Sequence, residues 1–164
     1  MGLKKLLPLE NYSVESSMSK NEVLGVLSDN SVKSGNTNTT NANFKGEILG
    51  DTFKFKQILS YRNDFKPAIY GIVKNNNSGS KTEISMKYSG GIMVFAILWF
   101  SCLGLMLLSG LFGMATKPTT GIKDLGGLIF LLLFGYILFV GGFKYESKKV
   151  KIKLEEILKS RTAD

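Results

Sequence analysis

Two long apolar runs without a charge constrain this chain more than any other feature of its sequence. No charged residue occurs from Tyr88 to Thr116 or from Leu125 to Phe143, and a short polar segment separates the two runs. A hydrocarbon core roughly 30 Å thick needs about 20 apolar residues in a helix. Neither run has the polar face that a helix on a soluble protein needs. The sequence therefore predicts an integral membrane protein with spanning helices at about 92–114 and 125–143.

The charges beside the two runs predict their orientation. The flanking lysines are Lys81 and Lys87 before the first run, and Lys144, Lys148, Lys149, Lys151 and Lys153 after the second. The connecting loop carries only two lysines and one aspartate. Because positive residues collect on the cytoplasmic side of membranes, we expect both termini in the cytoplasm. The net charge of +8 is then better explained by anionic lipid headgroups than by nucleic acid. Membrane lipids are accordingly the expected partners, and no nucleic acid is expected.

Residues 1–89 predict a small cytoplasmic α+β domain. Ser19 and Glu22 have the spacing of a capping box, which opens a short helix from Lys20 to Leu27. Alternating apolar and polar residues predict half-buried strands. These strands are expected at 10–17, 44–49, 52–60, 68–74 and 82–88. Residues 28–43 are rich in Asn, Ser, Thr and Gly, which indicates a flexible loop.

The last segment, 144–164, predicts a basic amphipathic tail helix. Its apolar residues recur at helical spacing and are Val150, Leu154, Ile157 and Leu158. The predicted fold class is thus an α+β membrane protein. It has a small antiparallel β-meander with a short helix, then a two-helix transmembrane hairpin over 90–143, then the amphipathic C-terminal helix.

One face of the predicted meander is apolar and needs a cover. Its candidate residues are Phe53, Phe55, Ile84 and Met86. An antiparallel sheet with one apolar face must bury that face against another layer. The short helix, the tail helix, the membrane surface and a second protein are all possible covers. The same parts could also form a curved half-barrel that holds a lipid or another apolar molecule.

The most distinctive polar stretch follows the third of the predicted strands. It forms a candidate interaction surface made of Tyr61, Arg62, Asn63, Asp64, Phe65, Lys66 and Pro67. Arg62 and Lys66 could grip a phosphate headgroup. Alternatively, Arg62 pairs with Asp64 and the segment is a structured connection. The second interpretation is favoured because most polar groups in turns serve the turn itself.

No residue constellation in the chain indicates catalysis. The sequence has no histidine and one cysteine, Cys102, which lies inside the first apolar run. A zinc site needs more ligands than these residues offer. Phosphate-loop, dinucleotide-binding and nucleophile-elbow motifs are absent. We therefore predict no enzyme, no catalytic residue, no cofactor and no metal site.

The stretch around Tyr61 also resembles a family of small bacterial two-span membrane proteins without an established activity. The family's core is Tyr-Arg-Asn-Ser-Phe-x-Pro-x-Ile-x-Gly, and its closing signature is Gly-Gly-Phe-x-x-Glu. The matching positions are Tyr61, Arg62, Asn63, Phe65, Pro67, Ile69 and Gly71, then Gly141, Gly142, Phe143 and Glu146. Asp64 stands where the family has Ser, which puts a role for a hydroxyl there in doubt. The resemblance covers about residues 44–150 and implies a multi-pass protein of the bacterial inner membrane.

These observations favour a membrane-anchored interaction module without enzymatic activity. Its partner would be another membrane protein or a second copy of the chain. Two alternatives remain open. One is the half-barrel for a lipid or apolar ligand, and the other is an immunity protein that protects its host against a membrane-active toxin.

Overall fold

The computed structural model describes residues 7–33, 42–58, 66–116 and 122–159. The elements of these residues are β1 (Leu9–Ser16), α1 (Lys20–Asp29), β2 (Ser31–Lys33), β3 (Phe44–Leu49), β4 (Thr52–Gln57), β5 (Ala68–Asn76), β6 (Gly79–Lys87), α2 (Gly90–Thr116) and α3 (Ile122–Lys159). The chain divides into two compact units. The sheet unit comprises Met1–Ser89 and Phe143–Asp164, and the helical unit comprises Gly90–Gly142.

The sheet unit contains a six-stranded sheet in the order β1-β6-β5-β4-β3-β2. All neighbouring strands are antiparallel except β2, which pairs parallel with β3. The sheet is therefore mixed, and the predicted all-antiparallel meander is wrong at this edge. The carbonyl of Asn30 accepts hydrogen bonds from the backbone N–H groups of Asn43 and Phe44, at 3.0 and 3.1 Å. β2 is held by backbone hydrogen bonds and has only three residues. It therefore shows no alternating apolar pattern from which the sequence could predict it.

The predicted α1 and hairpin turns are found with small shifts in their ends. The capping box of α1 is confirmed, because the Ser19 backbone N–H donates to the Glu22 carboxylate at 2.7 Å. β4 ends at Gln57, and the end of its predicted strand, 59–60, lies outside the described residues. β5 and β6 extend closer together than expected, so that their turn is only Asn77-Ser78.

The apolar core lies on one face of the sheet. Alternate residues of β4, β5 and β6 point to this face, and the side chains of Phe55, Ile69 and Met86 are fully buried there. The three residues form one row across the strands, since Phe55 pairs with Ile69 and Ile69 with Met86. Helix α1 contacts β2, β5 and β6, and its Val23 and Leu27 are fully buried. Helix α1 thus covers part of the apolar face.

The C-terminal part of α3 covers a further part of this face. Its predicted apolar face is buried, with Val150 and Leu154 fully inaccessible. Phe143 packs edge-on against Tyr88, with ring centroids 5.0 Å apart, and Ser16 donates a hydrogen bond to the Leu158 carbonyl at 3.3 Å. Of the covers considered from the sequence, the two helices therefore occupy the face. The tail is also not a separate helix, because α3 runs unbroken from Ile122 to Lys159.

The helical unit holds the two apolar runs. Two segments, Gly90–Met114 and Leu125–Leu158, are long and apolar enough to cross a membrane. Only 11% and 6% of their most apolar windows are buried. The helices α2 and α3 contact each other within this unit, where the rings of Phe100 and Phe139 meet edge-on with centroids 6.4 Å apart. Most of the remaining apolar surface of both helices is left uncovered by the chain.

Candidate functional site

A groove of about 760 Å³ crosses the face of the sheet opposite the apolar core. Its walls are two rows of residues that are paired across five strands. The first row is Glu47, Lys54, Tyr70, Ser85 and Asn11, and the second is Leu49, Thr52, Ile72, Glu83 and Ser13. Between these rows lie Phe53, Gly71, Ile84 and Tyr12, and Lys81 closes one end. Because side chains alternate between faces, the two rows point away from the core and the row between them points into it.

Tyr70 lies at the centre of the first row and organises the basic side of the groove. The Lys87 ammonium lies 4.6 Å from the centroid of its ring, and the Lys54 ammonium lies 5.7 Å from it. Lysines over an aromatic face are attracted by the ring quadrupole. The half-buried ring thus attracts two positive charges, of which that of Lys54 lines the groove.

Acidic groups lie in both rows of the groove, Glu47 in the first and Glu83 in the second. The Glu83 carboxylate accepts a hydrogen bond from Lys74 at 2.6 Å, and this bond lowers the pKa of Glu83 below its usual value. Glu47 lies directly across from Lys54 in the β3–β4 pair. Leu49, which is 67% exposed, and Ile72 add an apolar strip. The groove therefore offers charges of both signs around an apolar strip.

This combination suits a polypeptide better than a small apolar molecule. Pockets for small apolar ligands are mostly concave, lined by apolar side chains and contain few polar groups. A peptide segment presents backbone amides and mixed side chains, which an open groove of this composition can match. No group of three or more acidic, histidine or cysteine side chains that could hold a metal ion occurs among the described residues.

The interaction surface predicted from the sequence lies largely outside the described residues, since 59–65 are not among them. This applies to Tyr61, Arg62, Asn63, Asp64 and Phe65. Their role stays a prediction.

The two described members of that predicted surface lie just before β5. Lys66 is half-buried there, and Pro67 is buried. A buried Pro67 fixes the entry of the chain into the sheet and is not available for contact with a partner.

The four residues of the predicted apolar face do share one face. Phe53 and Ile84 belong to one row of the sheet, and Phe55 and Met86 to the next. None of the four is more than 3% exposed. The rings of Phe53 and Phe55 stack with centroids 4.9 Å apart. A ligand held at this face would therefore have to displace α1 or the end of α3.

Sequence patterns did not reveal the groove. The only local signal was that Tyr70 and Ile72, two large and partly apolar residues, occupy the face of β5 that is polar in β4 and β6. The walls come from five strands, and their residues meet only through the pairing register. Such a surface has no contiguous motif.

Comparison with protein-family models, curated proteins and solved structures finds no match to this chain. The family resemblance inferred from the Tyr61–Gly71 stretch therefore remains a prediction. The α+β class and the two apolar helices are the established properties of the chain.

Proposed function

We propose that this protein is a two-span protein of the bacterial inner membrane whose sheet unit binds another protein through the groove. The proposed role is that of an interaction module and not of an enzyme. Both termini, and with them the sheet unit, are proposed to be cytoplasmic. The single observation that carries the binding role is the open groove with Tyr70 at its centre and charges of both signs at its walls.

Membrane insertion is supported by the apolar surface of the helical unit. Phe112 is 73% exposed, and Leu98 and Ile137 are exposed to almost the same extent. Monomeric soluble proteins rarely expose contiguous apolar patches of more than a few hundred Å². In a bilayer the same side chains face lipid, and a helix satisfies its own backbone groups there.

Insertion and orientation are tested by cysteine labelling in intact cells. In a Cys102→Ser background, Thr119→Cys places a thiol in the segment that separates the apolar runs in the sequence, and Asn77→Cys places one in the β5–β6 turn. We expect a membrane-impermeant maleimide to label the first variant in intact cells, and the second only after permeabilisation. The reverse pattern would refute the orientation. Extraction of the protein by alkaline carbonate would refute insertion.

The groove is tested by native mass spectrometry of the full chain after gentle extraction from its own membrane. Tyr70→Ser with Ile72→Ser removes the centre of the groove. The matched control is Lys45→Ser with Lys56→Ser, because these neighbours point to the same face but do not line the groove. We expect an attached protein on the wild type and on the control, and at least about a fivefold lower occupancy on the groove variant. Equal occupancy of all three would contradict the proposal, as would a bare wild-type chain.

The lipid-binding alternative has less support in the sheet unit. It requires open space beside Phe55 and Met86, and both side chains are fully buried. Uptake of an apolar probe by the delipidated chain would favour this alternative over the interaction module.

A further inference from the structure

A second, smaller cavity lies between β1 and the C-terminal part of α3. It has a volume of about 250 Å³ and is lined by Glu10, Lys144, Ser147, Lys148 and Lys151. It shares no lining residue with the groove. The three lysines stand at i, i+4 and i+7 of one helix, which places them on the same face. Three lysines and one glutamate therefore line the cavity.

The single carboxylate is already neutralised. The Lys144 ammonium donates to Glu10 at 2.7 Å and to the backbone carbonyl of Leu9 at 3.0 Å. This leaves the positive charges of Lys148 and Lys151 at the cavity. A cation would need more carboxylate oxygens than the cavity offers.

The two remaining lysines differ in the contacts that their ammonium groups make. The Lys151 ammonium lies 4.9 Å from the centroid of the Tyr12 ring, and it reaches Glu155, which does not line the cavity, only at 4.0 Å. For Lys148, no carboxylate of the described chain lies within ion-pairing distance. Among the described residues that line the cavity, positive charges thus outnumber carboxylates.

A buried hydroxyl group points to a ligand independently of these charges. Ser147 lines the cavity and is 1% exposed, and its Oγ has no hydrogen-bond partner among the described residues. Buried hydroxyl groups nearly always have a partner, and leaving one unpaired costs stability. An acceptor atom that approaches Ser147 Oγ from the cavity to within hydrogen-bond distance would satisfy this donor.

We propose that this cavity binds a phosphate group, held by the Lys148 and Lys151 ammonium groups and by the Ser147 hydroxyl. A phosphate has several acceptor oxygens and a full negative charge, so it can accept from three donors at once. The group belongs either to the headgroup of an anionic lipid or to a free phosphate. Lys144 directly follows the second apolar run, which favours a lipid. The lipid source rests on the proposed membrane insertion, whereas the free source does not.

The experiment uses the full chain in detergent micelles and two probes. Native mass spectrometry measures binding of dioleoylphosphatidylglycerol against dioleoylphosphatidylcholine, and thermal unfolding measures stabilisation by inorganic phosphate. The variants are Ser147→Ala and Lys148→Gln with Lys151→Gln. Lys153→Gln is the control, because it removes one charge from the same helix outside the cavity.

We expect the wild type to respond to at least one of the two probes. It should bind the anionic lipid more tightly than the neutral lipid, or it should unfold at a higher temperature when inorganic phosphate is added. A hydrogen bond to a charged group is worth roughly tenfold in affinity, so Ser147→Ala should weaken binding about tenfold and the double variant more. Lys153→Gln should change it less than about twofold. Without ligand, Ser147→Ala should unfold at no lower temperature than the wild type, because it removes an unpaired hydroxyl.

Each outcome decides between sources or against the site. Binding of the lipid alone assigns a headgroup, and stabilisation by inorganic phosphate alone assigns a soluble phosphate. No preference for either probe would overturn the proposal. An equal loss in Lys153→Gln and in the double variant would also overturn it, since that loss would reflect only the overall charge. Failure of membrane insertion leaves the phosphate measurement intact, so the two proposals fail separately.

Discussion

The close contact between Gly71 and the ring of Phe53 predicts that alanine at position 71 destabilises the protein. A second substitution, at Phe53, should remove this effect or reverse it. The two residues are paired across β4 and β5 on the core face. A Cβ added at Gly71 would overlap the tip of the ring and lie 2.8 Å from Phe53 Cε2. Phe53 is 3% exposed and stacks on Phe55, so the ring has little room to move away. We therefore expect Gly71→Ala to destabilise the sheet unit.

The magnitude follows from two opposing terms. Overpacking of a tight core costs about 1–3 kcal/mol. Gly71 has no positive φ, so alanine fits its backbone and restricts the unfolded chain, which contributes about 0.5 kcal/mol of stability. The expected net loss is about 1–2 kcal/mol. In a Phe53→Leu background the overlap is relieved, and the same Gly71→Ala change should be neutral or stabilise by about 0.5 kcal/mol.

The assay is amide hydrogen exchange of β5 in the full chain in detergent micelles, converted to an opening free energy for each variant. Gly46→Ala is the control, because its added Cβ would clash with backbone atoms of Lys54. Shortening the Phe53 side chain does not relieve that clash. It should destabilise in both backgrounds. The reasoning would be refuted if Gly71→Ala lowered the opening free energy equally in the wild type and in the Phe53→Leu background.

Three further predictions concern pH, capping and charge. Burial, and after it the Glu146 carboxylate, raises the pKa of Tyr88 to about 12, and burial likewise raises that of Tyr12. Above about pH 10 the unfolded chain loses tyrosine protons that the folded chain keeps. The free energy of unfolding should therefore fall as the pH rises from 10 to 12, and it should fall less in Tyr88→Phe. Identical pH profiles of the wild type and the variant would contradict this. Ser19→Ala should destabilise α1 by about 1 kcal/mol, measured by exchange of its amides, and no faster exchange would exclude a capping role. Lys45 and Lys56 are directly opposed, so Lys56→Glu should raise the free energy of unfolding by about 0.5 kcal/mol in a denaturant titration, and a decrease would contradict the repulsion.

The sequence predicts those parts of the sheet unit whose signals are local. The capping box from Ser19 to Glu22 locates the start of α1, and the alternation around Phe53 and Phe55 assigns the two faces of β4. These signals depend only on residues within one turn of helix or one strand. The bounds of β3, Phe44–Leu49, were also predicted from its flanking Gly50.

The features that the sequence did not predict depend on pairing between distant segments. β2 is held by its parallel neighbour, and three residues are too few to carry a periodic pattern. The groove around Tyr70 and the cavity beside Ser147 are each assembled from separate strands or from a strand and a helix. No local periodicity specifies which residues meet there, because register and docking decide it.

The contacts between the two ends of the chain have a consequence for biosynthesis. Ser16 bonds to a carbonyl 142 residues later, and the ion pair of Glu10 and Lys144 spans 134 residues. The apolar face of the sheet is therefore covered in part by residues that are synthesised only after both apolar runs. Because contacts between such distant residues form late, the nascent sheet keeps part of its apolar face exposed until the C-terminal part of α3 has been synthesised. A chain truncated before Phe143 would have an incompletely covered sheet, so folding of the sheet unit depends on synthesis of the second apolar run and of the helical turns that follow it.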